Sequence, residues 1–125
     1  EDQVYVHDGM RILGLGGSMR YKKGNNQYTQ KEMMKRANSF SMRRKIKKAG
    51  GVDILVTHAP AFELRDGDDM PHQGFQAFNL IMDKYEPQYF FHGHVHVNYG
   101  LKFVREYQYK NTKIINAYER YIIEI

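Results

Sequence analysis

Two groups of histidines stand out by type and spacing. His58 closes the apolar run of "VDILVTHAP". His92, His94 and His96 alternate in "FFHGHVHVNYG". In an extended chain, residues two apart point to the same side, so His94 and His96 can offer two imidazoles to one place. Paired strand histidines do this in three-histidine zinc sites. Crowding imidazoles without a partner is costly, because protonating one disfavours protonating the next. A metal removes that cost by using the neutral rings as donors. The spacing therefore favours ligands at His94 and His96 over a merely polar strand face. Gly93 marks a place where backbone packs close to a neighbour. His58 taken by itself reads as a hydrogen-bonded structural residue at a strand end. The chain has no Cys, so thiolate sites and disulfides are excluded and any metal must be held by imidazole and oxygen.

The 125 residues suit one domain, and 42% hydrophobic with 14% aromatic residues is globular composition rather than disorder. No apolar run approaches the roughly 20 residues that span a membrane. Neither a signal peptide nor a membrane partner is expected, and the lack of Cys fits a cytoplasmic location. The chain opens at Glu1 rather than Met, so the expectation is a piece of a longer protein. Net charge is +5, unevenly spread. Lys31, Lys35, Arg36, Arg43, Arg44, Lys45, Lys47 and Lys48 share one segment in which Glu32 is the sole acid. That segment is either a solvated helix face or a patch for phosphate-bearing partners such as nucleic acid.

These residues need elements to position them. "QVYVHDGMRILGL" reads as a hairpin turning at Asp8-Gly9. Thr29 and Glu32 have capping-box spacing, predicting one helix that runs to about Lys48 and stops at Gly50-Gly51. Its inner face is Met33, Ala37, Phe40 and Ser41, with Ile46 off that stripe. Asp53 to Thr57 predicts a buried parallel strand. Residues 62–74 form an acidic loop, and Gly74 to Tyr85 a helix that ends before Pro87. "QYFFHG" is a second buried strand. Lys110-Asn111 is a turn between two strands, and "RYIIEI" closes the chain as a strand. Hairpin, helix, strand, helix, strand and meander make a layered α/β fold. Both histidine motifs follow short apolar strands, and ligands in such sheets gather at the carboxyl ends of strands.

"DILVTHAPA" followed by "YFFHGHVH" resembles the C-terminal half of a calcineurin-like metallophosphoesterase. "GLGGSMRY", "HQGFQAFNLIMDKYEP" and "INAY" are similar to one bacterial branch of that family, and the resemblance spans essentially the whole chain. It implies that residues 1–125 are a partial domain, the C-terminal half of a four-layer α/β/β/α sandwich. It implies phosphomonoester or phosphodiester hydrolysis by a hydroxide that two divalent ions activate, drawn from Mn, Fe, Zn or Ni. His58 and His94 would bind the second ion and His96 the first, while His92 would be supporting or structural.

The N-terminal half of that family supplies an Asp-x-His, a Gly-Asp motif with the bridging Asp, and an Asn-His motif. None occurs here. "VHDGM" has His and Asp in the wrong order, and "DGDDM" follows "THAP" instead of preceding it. The chain alone is therefore expected to be inactive or incomplete, with no catalytic residue of its own. The missing half would come from a separate segment or from a second copy of the chain. Arg20, after "GLGGSM", and His72, in the loop that leaves "THAP", are candidate substrate-binding residues for a phosphoester. "GLGGS" lacks the Lys-Ser/Thr that a P-loop needs. Two further readings stand beside this one. The basic helix, with Tyr21 and Tyr28 near it, would make a nucleic-acid-binding module without catalysis. His58, His94 and His96 together would make a mononuclear zinc site.

Overall fold

A computed structural model of the chain describes residues 2–20, 26–62, 74–93 and 106–117. Their centre is a six-stranded mixed sheet in the order β1-β2-β5-β6-β8-β7. Strands β2 (Met10–Leu15), β5 (Ile54–Thr57), β6 (Tyr89–His92) and β8 (Thr112–Asn116) run parallel. The antiparallel strands β1 (Gln3–His7) and β7 (Glu106–Tyr109) close the two edges. Two short strands, β3 (Ser18–Met19) and β4 (Gln27–Tyr28), pair separately. The α/β class expected from the sequence is the class observed.

The hairpin turns where expected. Asp8 and Gly9 both have positive φ, the geometry of a two-residue turn that matches strand twist. Lys110 likewise turns β7 into β8 at φ 51°. The expected closing strand, "RYIIEI", lies outside the described residues.

The single helix expected from Thr29 to Lys48 is two. Helix α1 is Gln30–Ala37 and α2 is Phe40–Ala49. Thr29 caps α1 by the predicted box: its Oγ1 accepts from Glu32 N at 3.1 Å, and its own N–H donates to Glu32 Oε1 at 3.0 Å. The break comes from Asn38-Ser39. Ser39 leaves helical geometry and its Oγ accepts from Met42 N at 3.0 Å, starting a new helix. The break re-aims the chain, so Met42 and Ile46 become the buried stripe of α2 while Phe40 turns outward at 72% exposure. Ile46 lay off the expected stripe because that stripe ran through a helix end. Gly50 ends α2 in the left-handed region at φ 92°, where glycine carries no Cβ penalty.

Helices α1, α2 and α3 (Gln76–Tyr85) feed one core. Met33, Ala37, Met42, Ile46, Phe78 and Ile81 pack with Leu13, Leu55, Phe90 and Ile114 of the sheet. The pleat places those four strand residues in one row: Leu13 pairs with Leu55, Leu55 with Phe90, and Phe90 with Ile114. Residues on alternate positions point to the other face. There Tyr5 and Val56 are exposed, and the half-buried rings of Tyr89 and Phe91 stack at 5.9 Å. Among the described residues, no helix is long and apolar enough to cross a membrane.

Ionic clamps tie the layers. Asp53 accepts from Arg11 N–H at 2.8 Å, from Nε at 2.9 Å and from Nη2 at 2.8 Å, joining the starts of β2 and β5. Arg11 Nη1 also donates to the Gly50 carbonyl at the end of α2. Arg36 on α1 pairs with Asp2, donates to Gly16 O at 2.9 Å, and lies over the Tyr28 ring.

Candidate metal centre at the strand ends

The last inward-facing residue of three successive parallel strands is polar. Thr57 ends β5, His92 ends β6 and Asn116 ends β8, and all three are buried. Thr57 stands opposite Leu15, and His92 opposite Asn116. Thr57 and His92 follow one step beyond the Val56–Phe91 pair. Below this row the sheet interior is the apolar Leu13, Leu55, Phe90 and Ile114, and buried Thr112 closes the opposite end of β8. The row marks where the core ends and the carboxyl edge begins.

Backbone hydrogen bonds continue past the strands there. Gly93 N–H donates to the His58 carbonyl at 2.9 Å, and Ala117 N–H donates to the His92 carbonyl at 2.7 Å. The first of these fixes the "THAP" turn against the residue that introduces "HVH". His58 itself is exposed, on the turn directly after β5. Thr57 Oγ1 donates to Ala59 O at 2.5 Å and tightens that turn. Among the described residues, a Cβ at Gly93 would meet His58 O at 3.8 Å, an ordinary contact distance.

The far end of the turn is anchored as well. Phe75 N–H donates to Pro60 O at 3.0 Å, and Phe62 N–H donates to Asn79 Oδ1 of α3 at 3.0 Å. Gly74 has to be glycine, because a Cβ would sit 2.2 Å from Ala61 O. The segment that leaves "THAP" therefore returns beside it.

His92 Nδ1 lies 3.0 Å from Gly93 O, which makes Nδ1 the protonated nitrogen and Nε2 the acceptor. Nε2 is buried without a hydrogen-bond partner among the described residues. Burial holds the pKa below the ordinary histidine value, so the ring is neutral at pH 7. It packs against Phe90.

The sequence candidates divide as follows. His58 is at the carboxyl edge. His94, His96 and His72 lie outside the described residues. Arg20 sits exposed just past β3, where its Nη2 donates to Gln27 O at 3.2 Å and pairs with Glu32 Oε2 at 3.4 Å. His7 is at the opposite, amino end of the sheet, 3.5 Å from Asp8 and open to solvent.

Among the described residues, three carboxylates on the carboxyl side of the sheet are engaged with cations. Asp2 holds Arg36, Glu32 holds Arg20, and Glu106 lies 3.7 Å from Lys113 Nζ. Thr29 N–H and Oγ1 keep the Glu32 carboxyl below its usual pKa. Among the described residues, no three His, Asp or Glu side chains gather as a metal site. The described donor set is one imidazole, His58, whose chemistry suits zinc or manganese but does not complete a centre. The buried polar row was the feature the sequence reading missed. Its signal is present in "ILVT", "YFFH" and "KIIN", where each apolar run ends on one polar residue.

No family model matches the chain, and no curated protein matches it. Nine solved chains do. Among them is a crystal structure with 16% identity and a TM-score of 0.60, covering 94% of this chain and 44% of that one. The chain thus spans less than half the length of that structure. At this identity the likeness is one of fold alone: a mixed α/β sheet covered by helices.

Proposed function

We propose that the chain is the histidine-bearing part of a divalent-metal-dependent phosphoesterase. One observation carries the reading. The Gly93–His58 hydrogen bond holds His58 beside the residue that precedes His94, at the carboxyl ends of adjacent parallel strands, the usual place for a ligand in such a sheet. His58, His94 and His96 are the proposed ligands. Bound divalent ions would supply Lewis acidity toward a phosphoryl group and lower the pKa of water.

The chain's own part is positional. β5 and β6 hold His58 and Gly93 next to each other, Thr57 tightens the His58 turn, and the buried polar row caps the core beneath. The carboxylates that a two-metal centre needs are proposed to come from a further segment or a second chain. In a four-layer sandwich, a second sheet would cover the face bearing Tyr5, Val56, Tyr89 and Phe91, two of which are exposed here.

The test is manganese-supported hydrolysis of a chromogenic phosphodiester. The chain alone should turn over at background rate. A longer protein containing it should be active, and His58→Ala or His94→Ala should abolish that activity. Full activity of the longer protein with both histidines replaced would overturn the reading.

A further inference from the structure

The outer side of α2 carries a cluster of cationic side chains. The helix contains no acid. Lys45 is used internally, donating to Asp2 O at 2.8 Å. Arg43, Arg44, Lys47 and Lys48 are exposed and, among the described residues, have no carboxylate partner. Arg43 and Lys47, one helical turn apart, form a ridge between two shallow cavities and line both. The cavity of about 390 Å³ adds Phe40 and Arg44. The cavity of about 430 Å³ adds Gly50, Gly51, Lys84 and Tyr85, with Lys84 Nζ 5.3 Å from the Tyr85 ring centroid. An aromatic ring therefore stands at each end of a cationic ridge.

We propose that this ridge binds single-stranded nucleic acid, independently of the strand-end histidines. Backbone phosphates would lie along Arg43, Arg44, Lys47 and Lys84, and bases would stack on Phe40 and Tyr85. Cationic tracks flanked by aromatic platforms bind single strands in this manner, because every base has a π-face. A membrane surface fits less well. A helix that lies in a bilayer interface needs a broad free apolar face, and the apolar Met42 and Ile46 of α2 are buried in the core. That leaves Phe40 as the one apolar side chain α2 exposes in this region. The break at Asn38-Ser39 is what turns Phe40 outward, so the local sequence builds the platform.

Fluorescence anisotropy with labelled oligouridylate tests the proposal, with phosphatidylserine vesicles as a second probe. The intact chain should bind the oligonucleotide at low salt. The slope of log K against log salt should be about −3, from four phosphate contacts at about 0.7 each. Arg43→Gln with Lys47→Gln should weaken binding at least tenfold and reduce the slope by about 1.4. Phe40→Ala should weaken binding severalfold and leave the slope unchanged. Lys31→Gln with Lys113→Gln removes the same charge elsewhere and should change affinity less than twofold. Circular dichroism of each variant checks that these surface changes leave the fold intact. Absence of binding at low salt would overturn the proposal. Equal losses from the two charge pairs, or vesicle binding through the same residues without oligonucleotide binding, would do so too. Because the readout is binding, the result is separate from any phosphoester hydrolysis.

Discussion

The amide of Gly93 donates to the carbonyl of His58 at 2.9 Å, across 35 positions of sequence separation from 58 to 93. This bond extends the parallel pairing of β5 and β6 past the last residues of both strands. It ties the "THAP" turn to Gly93, the residue that precedes "HVH".

Gly93→Pro removes the donor and should destabilise the chain by about 1–2 kcal/mol, measured by urea unfolding. Gly93→Ala keeps the donor and adds a Cβ at ordinary contact distance, 3.8 Å from His58 O. It should change stability by less than about 0.5 kcal/mol. Equal losses in both variants would show that the amide contributes nothing.

The Arg11–Asp53 clamp gives the chain a pH dependence of known sign. Arg11 lowers the Asp53 pKa to about 2 in the folded state. An unfolded Asp titrates near 3.9, so the folded state binds its proton later than the unfolded one. The clamp's stabilisation is then fully present above about pH 5 and is lost as pH falls through about 4 towards 2. Asp53→Asn should remove about 1 kcal/mol at pH 7, solvent exposure included. The variant's deficit against the parent should shrink as pH falls below about 4. A deficit that stays constant from pH 7 to pH 2.5 would contradict the assignment.

Ser39 starts α2 by accepting from Met42 N. Ser39→Ala should cost about 1 kcal/mol, read from the thermal or urea transition. Ser39→Asp should retain most of that stability, because its carboxylate also accepts from the helix N-terminus. Loss of equal size in both would mean that Ser39 acts through packing and not as a cap.

Much of the fold was legible in local chemistry. The Asp8-Gly9 hairpin, the Thr29–Glu32 box, the Gly50 stop and the strands at 54–57 and 89–92 each carry their own short-range signal. The helix break was written in Asn38-Ser39 but masked by apolar periodicity that can be drawn through both helices. Which strands neighbour each other was not legible, because the β5–β6–β8 order is set by long-range packing on Leu55, Phe90 and Ile114. For the site, the sequence located His58 at a strand end. It could not show that Glu32, Asp2 and Glu106 are engaged with Arg20, Arg36 and Lys113. Those pairs join residues 12, 34 and 7 positions apart in sequence. Arg20, proposed from a glycine-rich loop, is one of the cations so engaged.

The central claim is that His58 and His94 serve one ion at the strand ends. A double-mutant cycle of zinc binding by calorimetry tests it most directly, using the chain, His58→Ala, His94→Ala and the double variant. Each single change should weaken zinc binding at least tenfold, and the double variant should lose little beyond either single, since the two ligands act on the same ion. If His58→Ala binds zinc as the parent chain does, or if the two losses simply add, the shared metal centre is contradicted.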